Sequence, residues 1–361
     1  MNIFKKTLTK RNLFYFVQFC ILFFGVSFPF YQTTEVFDIY HPLWILIPGG
    51  LFVIIFSLAF GTVFNLNERA LKIFKKIIGY WLGGGFILFF TILTLLFINI
   101  FTDLTQMWMF GTGLAISSLL IIYAYHHASH VCIHTLSFAS NKISQSYRFI
   151  QLSDLHIGSN GKHEVQRIIN HMQNLEYDFV VITGDLVDED YATYEALEPL
   201  NTITTPIYYI TGNHEYYLRH KSFKDFIQKT DIDDLNDQKI AFGELDIYGI
   251  DEKSDAGEVL DTLGVDQMRY AIGLMHEPKK DQMEKAEQRG INLMLSGHTH
   301  NGQIFPLTLM VRMRYQFLRG VYTLGNMMIH VSQGTSTWGP KMRLGTHNEI
   351  TVITITPKKS S

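Results

Sequence analysis

The chain has 361 residues, 47% of them apolar, with 30 basic against 33 acidic residues and a formal net charge of -3. That length suggests about two structural units, and the near-neutral balance excludes a nucleic-acid binder driven by bulk charge, so no nucleic-acid polymer is expected as a partner. Two cysteines, Cys20 and Cys132, stand far apart and form neither a disulfide framework nor a zinc pattern, which fits a reducing compartment.

The first third is apolar and aromatic. Four stretches, approximately residues 13–31, 43–64, 77–101 and 107–125, are long enough to cross a bilayer, which takes about 20 residues at helical rise. A cleaved signal peptide would explain the first but not the other three. Lys5, Lys6, Lys10 and Arg11 precede the first span, and Arg69, Lys72, Lys75 and Lys76 fill the second loop. The first and third loops carry only Glu35, Asp38 and Asp103 as charges. Lys and Arg gather on the cytoplasmic side, so the N-terminus, the second loop and everything after the fourth span are expected there. Polar residues within the spans are few (Gln18, Asn99, Ser117, Ser118), and no charge pair lies at membrane depth. The region reads as an anchor rather than a transporter, with Gly83, Gly84 and Gly85 allowing close helix contact or bending.

From about residue 131 the pattern changes to short β-rich runs separated by turns and amphipathic helices. Strands are expected over 131–138 and 148–153, then a helix over 162–175 with Val165, Ile168, Ile169, Met172 and Leu175 on one face. A buried strand follows at 179–183, a helix at 191–200 and a strand at 207–211. Residues 241–250 read as a strand pair turned at Gly243, and 271–275 as a strand. A helix at 281–289, a strand at 291–296 and strands at 321–324, 328–332 and 350–356 complete the domain. Elements alternate early and strands dominate late, which predicts an α/β domain of stacked sheets with helices outside. The expected division is 1–127 and 128–361.

Ligand-type residues stand directly after strand after strand, as expected of a site built from loops at the C-terminal ends of a sheet. They are Asp154 with His156, Asp185 with Asp188, Asn213 with His214 and Glu215, the lone His276, and His298 with His300. Gly184 and Gly212 precede their ligands and permit tight turns. Oxygen and imidazole donors without thiolates suit manganese, iron or zinc. A mixed Asp, Asn and His shell with one shared carboxylate is the natural way to hold two such ions about 3.5 to 4 Å apart.

The ordered set Asp154-x-His156, Gly184-Asp185-x-x-Asp188, Gly212-Asn213-His214-Glu215, His276 and Gly297-His298-x-His300 resembles the calcineurin-like metallophosphoesterase superfamily. Ser153-Asp154-Leu155-His156 and Gly297-His298-Thr299-His300-Asn301-Gly302-Gln303 are most similar to its bacterial membrane-associated branch, some of whose members act on lipid precursors. The resemblance covers about residues 131–357. It implies an αββα metallophosphoesterase sandwich preceded by an all-α four-helix transmembrane region, in a bacterial inner membrane with the catalytic domain cytoplasmic. It also implies that Asp154, His156 and His300 hold one metal, that Asn213, His276 and His298 hold the second, and that Asp185 bridges them. His214 would protonate the leaving alkoxide or stabilise phosphoryl charge, and Asp188 and Glu215 would orient histidine ligands. Glu215 stands where many relatives have Asp and Asn301 where this branch usually has Gly, which bears on substrate fit. The implied reaction is phosphoester hydrolysis by a hydroxide bridging two divalent ions.

The partner expected is therefore a phosphoester, lipid-linked or nucleotide-linked, cleaved at a phosphodiester or pyrophosphate bond. The rivals are an enzyme for a soluble phosphodiester, a non-catalytic membrane sensor that keeps the fold, and a transporter with a regulatory domain. Residues 304–322 mix apolar side chains with Arg312, Arg314 and Arg319, and read either as a partly buried segment or as a membrane-facing lid. His126, His127 and His130 read as an exposed polar stretch, and His163, His171 and His220 as solvated. His330 and His347 lie on late segments that could border the cleft.

Overall fold

A computed structural model describes residues 68–218 and 222–358. The chain divides into two compact units, Met1–Ala124 and Tyr125–Ser361. In the first, α1 (Glu68–Asn99) and α2 (Gln106–His127) are described. Both are long and apolar enough to cross a membrane. The first two expected spans, 13–31 and 43–64, lie outside the described residues. One expectation is corrected: Arg69, Lys72, Lys75 and Lys76 belong to the opening turns of α1 and not to a loop. Lys has nearly the helix propensity of Ala, so the helix runs through them. A Cβ at Gly84 would stand 3.4 Å from Ile121, so the glycine lets the two helices approach. Asn99 closes α1, its side-chain oxygen accepting from the amide of Leu104 at 2.8 Å.

The second unit opens with β1 (Val131–Ser140), β2 (Tyr147–Leu152), α3 (Lys162–Met172) and β3 (Phe179–Thr183). Next come β4 (Ile207–Ile210), α4 (Phe223–Ile227), β5 (Ile232–Asp234), β6 (Lys239–Phe242), β7 (Leu245–Gly249) and α5 (Ala256–Leu263). It closes with β8 (Tyr270–Leu274), α6 (Lys280–Gln288), β9 (Leu293–Ser296), α7 (Leu307–Arg314), β10 (Gly320–Leu324), β11 (Met327–Val331) and β12 (Asn348–Pro357). The strands form two six-stranded mixed sheets, ordered β1-β12-β2-β3-β4-β5 and β10-β11-β9-β8-β7-β6. In the first, β2, β3, β4 and β5 run parallel; in the second, β7, β8, β9 and β11 do.

Strands buried on both faces read as unbroken apolar runs, and Phe179-Val180-Val181-Ile182 shows why. Phe179 and Val181 join Phe149, Tyr208, Leu245, Ile272 and Leu295 between the sheets, where Phe149 and Phe179 stack at 4.7 Å. Val180 and Ile182 point the other way, onto Val165, Ile168, Ile169 and Met172 of α3. Met283 and Ala286 of α6 and Leu260 of α5 cover the outer face of the second sheet. The result is the expected helix–sheet–sheet–helix sandwich.

The helix expected over 191–200 is corrected to two 3₁₀ turns, Tyr194–Ala196 and Glu198–Thr202. Pro199 has no amide to continue an α-helix. The strand pair at Gly243 forms as β6 and β7, antiparallel, with Gly243 at φ 56° in the turn.

Candidate metal centre

The parallel strands β2, β3 and β4 of one sheet, and β8 and β9 of the other, end on one side of the sandwich. Each hands its chain to a loop that carries a metal-ligating residue type. The loops are tied to one another. The amide of Asp154 donates to Gly184 at 3.1 Å, that of His156 to Asp185 at 2.9 Å, and that of Gly297 to His276 at 3.0 Å. Across the sheets, the amide of His298 donates to both carboxylate oxygens of Asp154 at 3.2 Å.

The backbone is strained where the candidate ligands sit. Asp154 (φ 56°), His156 (φ 50°), Asp185 (φ 52°), His298 (φ 70°) and His300 (φ 46°) all occupy the left-handed region. Each such non-glycine residue costs of order 1 kcal/mol or more, and such residues cluster at functional sites. Gly184 (φ 88°) makes the turn before Asp185, and a Cβ there would overlap the His276 ring and the Gly212 Cα.

The side chains converge in two groups. Asp154 Oδ1 lies 3.4 Å from His300 Nε2 and 3.9 Å from His156 Nε2, and the two imidazole nitrogens face each other at 3.0 Å. Beside them, His276 Nε2 lies 3.2 Å from His298 Nδ1. Asp185 Oδ2 reaches both groups, at 3.1 Å from His276 Nε2 and 3.8 Å from His156 Nε2. The buried Oδ1 of Asn213 has no hydrogen-bond partner. Imidazole nitrogens facing each other, two carboxylates and an orphaned amide oxygen fit divalent ions well. Three of the groups that could hold a metal are drawn from these residues: Asp154 with His156 and His300, Asp185 with His276 and His298, and Asp185 with His156 and His214.

Electrostatics are severe. Burial raises the Asp154 carboxyl above its ordinary range. Burial also pushes Asp185 up, but the neighbouring His276 and His214 outweigh it and hold Asp185 well below the usual carboxylate range. Burial would lower His276, yet Asp185 reverses it and lifts His276 well above the imidazole range. Burial, aided by His276, pushes His298 down to about 3, and burial with His156 holds His300 well below its usual value. His214, edge-on to His156 at 4.8 Å between ring centres, is pushed to about 4 by burial.

The supporting groups are partly those expected. Asp188 Oδ2 lies 3.4 Å from His156 Nδ1, positioned to orient that ring. Glu215 does not orient a histidine. Its carboxylate accepts from the amides of Gly212 at 2.8 Å, Val187 at 2.9 Å and Asp185 at 3.2 Å, bracing the β3 and β4 loops against each other. Asn301 (φ 49°) is buried and donates to Gln333 at 3.0 Å. Asn tolerates the left-handed region that Gly fills elsewhere.

Several contributors carry no motif. His276 Nδ1 donates to the Thr183 carbonyl at 2.8 Å. His298 Nε2 meets the Tyr315 hydroxyl at 2.9 Å, and that hydroxyl donates to Glu277 at 2.7 Å. Arg343, fully buried, donates to the carbonyls of His300 at 2.9 Å and Ser336 at 2.7 Å. Tyr217 and Trp338 flank His214 at 5.2 and 5.5 Å between ring centres, and both are exposed. His330 is buried in β11, paired with Gln151 and not facing a cleft. His163 and His171 are exposed, as expected, and His220 lies outside the described residues.

Residues 147–302 match the family model for calcineurin-like phosphoesterases. An uncharacterized metallophosphoesterase of Helicobacter pylori is 33% identical over 235 residues, spanning 61% of this chain and 63% of its own. The match thus takes in a little under two thirds of that relative. An uncharacterized metallophosphoesterase of Campylobacter jejuni is 27% identical over 86% of this chain and 89% of its own. A Danio rerio transmembrane protein with metallophosphoesterase domain is 30% identical over 58% of this chain and 53% of its own. The chain carries a domain of the calcineurin-like metallophosphoesterase family.

Proposed function

We propose that this protein is a membrane-anchored phosphoesterase with a two-ion centre, cleaving a phosphodiester or pyrophosphate bond of a lipid-linked or nucleotide-linked substrate. One observation carries the reading: Asp185 Oδ2 stands between two groups of converging donor atoms, at 3.8 Å from His156 and 3.1 Å from His276. Asp154, His156 and His300 would hold one ion, and Asn213, His276 and His298 the other, with Asp185 shared. Manganese, iron and zinc all suit these donors. Bound there, divalent ions polarise a phosphoryl group and make water acidic enough to attack near neutral pH.

The chain's own groups prepare the rest. His214, whose Nε2 lies 4.0 Å from Asp185 Oδ2, is placed to protonate the leaving alkoxide or to donate an N–H to a phosphoryl oxygen as charge spreads there. The Thr183 carbonyl fixes the His276 ring, and Asp188 Oδ2, 3.4 Å from His156 Nδ1, is close enough to orient that ring. Tyr217 and Trp338 offer an aromatic rim beside His214 for the leaving group.

Three features support a membrane and a lipid. Helices α1 and α2 are of spanning length and apolarity. The Danio rerio relative is a transmembrane protein by name. Helix α7 buries none of its residues and turns Leu309 and Met313 outward beside Arg312 and Arg314, which suits a lid over an anionic interface. The organisation inferred is a four-span region over 1–127 and a cytoplasmic catalytic domain over 128–361, in a bacterial inner membrane.

The test is an assay of detergent-purified full-length protein loaded in turn with manganese, zinc or iron, on a chromogenic phosphodiester and the matching monoester. Metal-dependent diester cleavage lost in Asp185→Asn supports the reading. Turnover of the monoester alone would refute the diesterase assignment, and no turnover with any metal would favour a binding protein.

A further inference from the structure

We propose that His134, His347 and Glu349 form a separate, single-ion metal site that takes a divalent cation of the zinc class. All three lie outside residues 147–302, and none belongs to the two-ion centre. His134 lies on β1, Glu349 on β12 and His347 in the turn just before β12. The parallel pairing of β1 with β12 sets Cys132 beside Glu349 and His134 beside Thr351, two residues further along. Side chains two apart share a face of a strand, so His134 and Glu349 emerge together.

The donor atoms repeat the geometry of the catalytic centre. His134 Nε2 and His347 Nε2 face each other at 2.9 Å, and Glu349 Oε2 lies 3.8 Å from the first and 3.9 Å from the second. The corresponding triangle of Asp154, His156 and His300 has edges of 3.0, 3.4 and 3.9 Å. Ring orientation agrees as well. The imidazoles of His134 and His347 meet head to head with centres 5.2 Å apart and planes 16° from parallel, against 5.1 Å and 27° for His156 and His300. Metal–nitrogen bonds of about 2.1 Å at tetrahedral angles separate ligand atoms by about 3.4 Å, within the range of both triangles.

The third ligand is held ready. Glu349 is buried, and its Oε1 accepts from the backbone amide of Gln333 at 3.0 Å. The Gln333 side-chain amide donates to Oε2 at 2.9 Å and also lies 3.0 Å from His347 Nε2. An ion on His347 Nε2 would take the place of the Gln333 side-chain amide there, while Glu349 keeps its bond from the Gln333 backbone amide. The imidazoles remain open to solvent, with side-chain exposures of 46% for His134 and 24% for His347, so an ion can enter. Two nitrogens and one carboxylate oxygen with no thiolate select zinc or a neighbouring transition ion over calcium or magnesium. The three protein ligands leave a fourth position for water.

The site also connects with the catalytic loop. Gln333 Oε1 accepts from Asn301, and the Gln333 carbonyl accepts from Arg343, which in turn donates to the carbonyl of His300. An ion on Glu349 would therefore stiffen the segment that carries His300.

The test is zinc content per chain of full-length protein in detergent, after zinc loading and gel filtration, read in two backgrounds. In the wild type, His134→Ala and His347→Ala should each remove one zinc per chain. With both catalytic ion positions disabled by Asp154→Asn, His156→Ala, Asp185→Asn and His276→Ala, one zinc should remain and disappear on adding His134→Ala. Glu349→Gln should weaken that zinc about tenfold or more. If the disabled chain fails to fold, the wild-type comparison decides alone. Zinc content unchanged by removing His134 and His347 would overturn the proposal and leave only a hydrogen bond between two imidazoles.

Discussion

Tyr315 settles which nitrogen of His298 faces the centre. Its hydroxyl donates to Glu277 at 2.7 Å and so accepts from His298 Nε2 at 2.9 Å, which leaves the Nδ1 lone pair toward His276. A partner on the second ring nitrogen fixes tautomer and ring orientation. Burial pushes Glu277 up, but His298 and Lys279 outweigh it and hold it down at about 2, so this chain ends on a firm carboxylate.

Tyr315→Phe removes the acceptor and leaves the fold alone. It should weaken binding of the ion assigned to His276 and His298 about 10- to 100-fold. Activity should return at high metal concentration. Metal titration of the phosphoesterase rate checks this, and a loss that excess metal does not rescue contradicts it.

Glu215 and Asp188 separate bracing from tuning. Glu215→Gln turns an NH₂ toward amides that need an acceptor, which costs about 1–3 kcal/mol. The result should be a thermal midpoint several degrees lower in calorimetry. Asp188→Asn should leave the midpoint near wild type and lower metal affinity about tenfold or more through His156.

His330 makes stability depend on pH. Burial pushes it to about 4 from an ordinary value of 6.5, so the unfolded chain takes up a proton that the folded chain refuses. The sign follows: stability is full above 6.5, declines as pH falls, and this contribution stops changing below about 4. The slope is at most about 1.4 kcal/mol per pH unit. His330→Gln can still donate to Gln151 and should flatten denaturation midpoints measured from pH 7 to pH 4. Equal slopes for variant and wild type would contradict the assignment.

Neutralising Arg312 and Arg319 together tests the lid; Arg314 is left in place because it lies 3.9 Å from Glu277. All three are exposed. Hydrolysis of a phospholipid-type substrate in anionic vesicles should fall about fivefold or more, since each basic residue near such a surface contributes about 1 kcal/mol. A soluble chromogenic diester should be spared. Equal loss on both would sink the idea.

The sequence makes the sandwich and its ligand loops legible for a physical reason. Phe179–Thr183 and Leu293–Ser296 are apolar up to a closing hydroxyl residue because both faces are buried, and a ligand-type residue just after such a run lies at the strand's end. The less legible elements are short or depend on distant partners. β5 is three residues long, too short for a period of two to stand out. Helix α5 was not expected, although Asp255 caps it by accepting from Gly257 and Glu258. Tyr315 and Glu277 are 38 residues apart and match no motif, so their meeting on His298 is a property of the fold. Arg343 sits in a segment without periodicity, yet bonds to His300 and to Gln333, Ser336 and Asn348 around it. Glu215 was legible as important and misread in role, because spacing identifies a nearby carboxylate without saying whether it will face a ring or a row of amides.

The most direct measurement is the electron paramagnetic resonance spectrum of full-length protein loaded with about two manganese ions per chain, as a two-ion centre requires. The His134→Ala background removes the separate site. A carboxylate shared through Asp185 predicts the spectrum of an exchange-coupled pair, collapsing to isolated-ion signals in Asp185→Asn together with loss of turnover. Isolated-ion signals at full loading in the chain with Asp185 intact, or no bound manganese at all, would contradict the two-ion centre.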